Sequence, residues 1–142
     1  GTAHFKDRER SIPLAMLLPL LDKNAEFHSI QKEYRDTDKE LLAIHEDRLR
    51  DHSKEIVDFG DTAAIIEEMD LVISVDTAVA HLAGALGKPV WILLPYEPDF
   101  RWLINREDSP WYPTARLFRQ SSVHDWKSVI ATVKAALLEQ IC

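Results

Sequence analysis

The residues best placed to do chemistry lie in one stretch, DLVISVDTAVAHLAGALGKPVWILL, between Asp70 and Leu94. Residues 71–75 are rich in β-branched and apolar side chains, as a strand buried on both faces requires. Asp76 and Thr77 end that strand where a helix over 78–86 begins. Ligands of open α/β sheets bind at such strand ends. The first turn of the helix has N–H groups with no partner inside the helix, and it carries the positive end of the helix dipole. Thr77, Ala78 and Val79 can therefore hold a diphosphate without a metal, and Thr77 can add its hydroxyl. Helical spacing puts Thr77, His81 and Gly84 on one stripe, so the His81 imidazole can donate to a phosphate oxygen. Gly84 leaves room for a ligand or a close neighbour. The structural alternative is that Asp76 or Thr77 caps the helix and His81 is a satisfied interior histidine.

Two further groups could meet the rest of a ligand. Gln31 and Lys32 directly follow a strand over 26–30, another strand end where a nucleoside could be met. The segment 96–112 offers Arg101, Trp102, Arg106, Trp111 and Tyr112, which can stack on a base or sugar and hydrogen-bond its hydroxyls. Against these stand exposed polar residues of no function and the aromatic packing of a long loop. Other chemistries lack their residues. The six histidines have no metal-binding spacing, there is no Gly-x-Ser-x-Gly elbow, and four glycines make no phosphate-cradling loop. No metal or cofactor is expected, and no catalytic residue is assigned.

The elements that must position these residues follow from periodicity. A helix is expected over 11–21, with Ser11 as its cap and Pro13 in its first turn. The strand at 26–30 precedes a polar run over 31–54, expected to be a crossing loop with some helix near 39–45. A short strand at 55–58 precedes a helix that Asp61 caps and that runs through Met69, with Ala63, Ala64, Ile65 and Ile66 turned inward. After the helix at 78–86, Gly87 is expected in the left-handed conformation that ends helices. Residues 90–94 form a second buried strand, and 95–113 are irregular. Residues 115–118 form one more strand, and Trp126, Val129, Ile130, Val133, Leu137 and Ile141 share one face of a final helix. The alternation of strand and helix implies a Rossmann-like α/β fold, a parallel sheet with helices on both faces.

The 142 residues, nearly half of them hydrophobic, suit a single domain over 1–142. A net charge of -7 argues against a nucleic-acid partner. The one cysteine, Cys142, excludes an internal disulfide and fits a reducing cytoplasm. No apolar run approaches the about 20 residues that span a bilayer. A charged loop and a helix open the sequence where a doubly wound domain has its first central strand. A fragment of a longer chain is therefore expected, with an unpaired slot in its sheet. A swapped homodimer or poor solubility should follow unless a preceding segment fills that slot.

Asp76-Thr77-Ala78-Val79-Ala80-His81-Leu82-Ala83, followed by Gly87-Lys88-Pro89, resembles the Asp-Thr-x-x-x-His-Leu-Ala motif of heptosyltransferase-like glycosyltransferases. More broadly, DFGDTAAII, DLVISVDTAVAHLAGALGKPVW, DSPWYP and RLFRQ resemble, in that order, the C-terminal glycosyltransferase region of bacterial tetratricopeptide-repeat proteins. The resemblance implies the C-terminal half of a GT-B enzyme, whose two Rossmann-like domains divide the work. This half would bind a nucleotide-diphosphate sugar, while an N-terminal acceptor-binding or tetratricopeptide-repeat domain would lie outside the sequence. It also implies a basic residue near the donor phosphates, with Arg10 at the matching position and Lys6 and Arg8 as alternatives. Pro95-Tyr96-Glu97 stands where heptosyltransferases have a glycine-threonine-x-proline turn, which sets the donor apart from ADP-heptose.

The function implied is donor binding for an inverting, metal-independent glycosyl transfer, with Thr77–Val79, His81 and a basic residue near Arg10 stabilising the departing nucleotide diphosphate. The base that activates the acceptor would sit on the other domain, leaving this fragment inactive alone. The alternative is a non-catalytic nucleotide-sugar-binding or scaffold module of a tetratricopeptide-repeat protein.

Overall fold

The computed structural model describes residues 12–31, 34–75, 77–96, 112–122 and 125–141. They form α1 (Leu14–Leu17), a 3-10 turn (Leu18–Leu20), β1 (Phe27–Ser29), α2 (Asp36–Ile44), β2 (Leu49–Asp51) and α3 (Phe59–Glu67). β3 (Val72–Val75), α4 (Ala78–Ala85), β4 (Val90–Leu94), β5 (Ala115–Arg119) and α5 (Trp126–Ile141) follow. All strand pairs are parallel: β1 joins β2, and β4 lies between β3 and β5.

β4 shows how sequence builds the layers. All five of its residues are buried, and alternate side chains leave a strand on opposite faces. Val90, Ile92 and Leu94 meet Ile66 of α3 and Ala80 and Ala83 of α4. Trp91 and Leu93 meet Leu20 and the Trp126, Val129, Ile130 and Val133 stripe of α5 on the other face. Helices therefore cover both faces, as the Rossmann-like reading requires. The fully buried Ala80 and Ala83 have small side chains, which bring α4 close to the sheet and fix the direction of its N-terminus. A third cluster, Leu14, Leu42 and Leu49, seats α1 and α2 on β1 and β2. Among the described residues, the outer edge of β1 and the edge of β3 away from β4 carry no strand. The sheet is thus in two parts.

Several elements differ from the sequence expectation. The second strand lies at Leu49–Asp51 and not at residues 55–58. Only Leu49 of that strand is buried, so its alternation is hidden among charges, while in 55–58 Ile56 is buried and Val57 is exposed. The N-cap of α3 is Asp58 and not Asp61, three residues earlier than expected, because Asp58 and Asp61 close a capping box. Asp58 accepts from the Asp61 N–H at 3.0 Å, and Asp61 accepts from the Asp58 N–H at 3.2 Å. A helix turns about 100° per residue, so four consecutive inward residues do not fit. Ile66 is buried and Ala64 is exposed. α1 passes into a 3-10 turn containing Pro19, which has no N–H to continue an α-helix. The polar run after β1 holds the nine-residue α2, longer than expected. β3 is buried at Val72 and only half-buried beyond it, as an edge strand and not a central one. Ser11 lies outside the described residues.

Candidate functional site

The end of β3 and the start of α4 are built as the anion-site reading needs, with one change. Thr77 is the N-cap of α4 in an extended conformation (φ -136, ψ 175), but its side chain makes no capping hydrogen bond. The Ser74 hydroxyl donates to the Val75 carbonyl at 2.8 Å and lies 3.1 Å from the Thr77 hydroxyl. Ser74 has one hydroxyl proton, so the bond between the two hydroxyls carries the proton of Thr77. The Thr77 side chain is thereby turned back onto the strand end, and an anion at this point meets backbone N–H groups first. The first bond within the helix runs from the His81 N–H to the Thr77 carbonyl at 3.2 Å. The N–H groups of Ala78, Val79 and Ala80 precede it and have no acceptor inside the helix. Thr77 and Ala78 are exposed, while Val79 packs against the core and anchors the turn.

The stripe from Thr77 through His81 to Gly84 exists, and at its far end the close neighbour is a side chain. Tyr112 lies over Gly84, where a Cβ would come within 2.6 Å of its ring. The same tyrosine hydroxyl is 3.3 Å from His81 Nδ1, with the two rings edge to face at 64°. Tyr112 therefore sets the direction of the imidazole. The C-terminus of α4 closes as expected on Gly87 at φ 74. The Gly87 N–H donates to the Gly84 carbonyl at 3.1 Å and the Lys88 N–H to the Ala83 carbonyl at 3.0 Å, the paired bonds of a Schellman motif.

Of the residues singled out in the sequence, Thr77, Ala78, Val79 and His81 come together on one helical turn. Gln31 is exposed just after β1. That strand belongs to the two-stranded sheet, while β3 belongs to the three-stranded one. Beside Gln31, Ser29 hydrogen-bonds Tyr34, which donates to Asp51 at 3.1 Å. Burial pushes the Tyr34 phenol well above its ordinary range. Asp76, Arg10, Lys6, Arg8, Lys32, Arg101, Trp102, Arg106 and Trp111 lie outside the described residues. Sequence reasoning missed Ser74, and it named Tyr112 only as a stacking group of the long loop. Gly84 in a helix interior was the one signal of a close approach.

Residues 56–107, which contain α3, β3, α4 and β4, match the family model of glycosyltransferase family 9 (heptosyltransferase). Protein FlbA of Caulobacter vibrioides is 35% identical to this chain over 80 residues. That region covers 56% of this chain and 13% of FlbA, so the chain spans only a small part of this relative. No helix among the described residues is long and apolar enough to cross a membrane.

Proposed function

We propose that this chain is the donor-binding domain of an inverting, metal-independent glycosyltransferase, holding a nucleotide-diphosphate sugar at the start of α4. One observation carries the reading. The helix that opens at the end of β3 has an N-cap whose side chain leaves the first-turn N–H groups uncapped, within the stretch that matches the family 9 model. The N–H groups of Ala78 and Val79, with the helix dipole, would neutralise the diphosphate as the anomeric carbon–oxygen bond breaks and the acceptor oxygen attacks from the opposite side. An N–H of His81, aimed by Tyr112, would add a side-chain donor. Arg10, Lys6 or Arg8 would supply a positive charge, and Gln31, Lys32, Arg101 and Trp102 would meet the nucleoside or sugar. The base that deprotonates the acceptor would belong to an acceptor-binding or tetratricopeptide-repeat domain of a longer cytoplasmic protein, so this chain alone would bind donor without turnover.

Calorimetric titration with UDP, GDP, ADP and their common sugar conjugates tests this. Saturable binding of one nucleotide, weakened by His81→Ala, is the expected result. A flat titration by a demonstrably folded sample would sink the donor site and leave a scaffold module. Donor binding with no transfer by the full-length protein would instead favour the non-catalytic binding module.

A further inference from the structure

On the opposite side of β1 and β2 from Phe27 and Leu49, two imidazoles lie in line. His28 Nδ1 and His52 Nε2 are 2.8 Å apart. The ring planes differ by 22° and the centroids are 5.1 Å apart. That separation belongs to two rings meeting edge to edge along one N···N line, not to rings stacked face to face. Each outer nitrogen faces a carboxylate. His52 Nδ1 is 2.5 Å from Glu55 Oε2, and His28 Nε2 is 3.3 Å from Glu26 Oε1. His52 is buried, at 7% exposure. Arg50 Nη2 lies 3.6 Å from the second oxygen of Glu55, and Asp51 and Tyr34 sit on the other face of the strands.

The short contact between the rings needs a proton in it. Two bare ring nitrogens repel at 2.8 Å, and so do two N–H groups, so one proton lies between them. The Glu55 carboxylate only accepts, so His52 Nδ1 carries a proton of its own. Donation from His52 keeps the Glu55 carboxyl below its usual range.

We propose that His28 and His52 share one proton and form an acid-sensitive clasp between β1 and β2. Full protonation of both rings sets N–H against N–H and places two charges at the same spot, so the rings must part. The ladder they hold is short. β1 and β2 pair over three residues each, and the His52 N–H donates to the Ser29 carbonyl at 3.0 Å just beyond. Opening the clasp therefore frees the end of β1.

Nitrogen-15 NMR of the unmodified chain reads this directly. A through-hydrogen-bond coupling between His28 Nδ1 and His52 Nε2 is expected near neutral pH. It should vanish on acidification, once both rings are fully protonated. The protection factor of the His52 amide, corrected for intrinsic exchange, should fall roughly tenfold or more as the coupling is lost. His28→Gln keeps a hydrogen-bonding group against His52 but cannot take the extra proton, so its protection should no longer depend on pH there. Absence of the coupling in folded protein at neutral pH would overturn the shared proton. An undiminished acid loss of protection in His28→Gln would overturn the clasp.

Discussion

Tyr112 occupies the space that Gly84 leaves empty. A Cβ built at residue 84 would lie 2.6 Å from the tyrosine Cγ and 2.9 Å from both Cδ atoms, inside any real contact distance. The ring is also the partner of His81, so it cannot retreat without releasing the imidazole. Gly84→Ala should therefore cost about 1–3 kcal/mol, the usual penalty of overpacking. Urea denaturation checks this, and Tyr112→Ala should relieve most of the added cost in a double-mutant cycle. Additive losses would mean that the ring does not rest on residue 84.

Gly87 presents the opposite case three residues later. Nothing lies within 4 Å of a Cβ built there, but its φ is 74. Gly87→Ala should cost about 1–2 kcal/mol from backbone conformation alone. Gly87→Asn should cost less, because asparagine tolerates the left-handed region. Thermal or urea unfolding of the two variants separates this cause from steric crowding, which would rank asparagine as the worse replacement.

The same contrast shows what could be read in the sequence. β4 was legible because all five of its residues are buried and apolar, and α5 because its buried stripe repeats at helical spacing. Gly87 was legible because few residues but glycine end a helix in that conformation. β2 was not, since Leu49 is its one buried side chain among Arg48, Arg50 and Asp51. Nor was its clasp, because the two histidines are 24 residues apart and meet only through the unrecognised strand pair. For the site, residue type and spacing located the turn of Thr77–His81. The orientation of the Thr77 hydroxyl depended on Ser74, and that of His81 on Tyr112, both contacts set by tertiary packing.

The capping box at Asp58 and Asp61 makes the start of α3 sensitive to acid. The N–H groups of Val57 (2.8 Å) and then Asp58 (3.2 Å) donate to Asp61 and hold its carboxyl below the usual range. A carboxyl lowered in the folded state stabilises the fold above its unfolded value, near about 3.9. That contribution is lost as pH falls through the lower folded value. Asp61→Asn should therefore flatten the acid limb of a stability–pH profile below about pH 5. Asp58→Ala should cost about 0.5–2 kcal/mol at neutral pH, as lost N-caps do. An acid limb unchanged in Asp61→Asn would show that the two donated bonds do not form in solution.

Ala78→Pro offers a sharper test of the start of α4 than any side-chain truncation there. Residue 78 is the first helical position, where proline's fixed φ fits and its missing N–H breaks no bond of the helix. The preceding Thr77 is already extended, the conformation that a residue before proline prefers. The helix should therefore persist, shown by unchanged circular dichroism, while one donor facing a bound anion disappears. Hydrogen bonds to charged groups contribute about 1.5–3 kcal/mol, so nucleotide diphosphate binding should weaken roughly tenfold or more. Thr77→Val should weaken it less, because the threonine proton is already given to Ser74. Calorimetry on both variants separates the two cases. If the valine variant loses binding and the proline variant keeps it, the hydroxyl holds the phosphate and the backbone N–H groups do not.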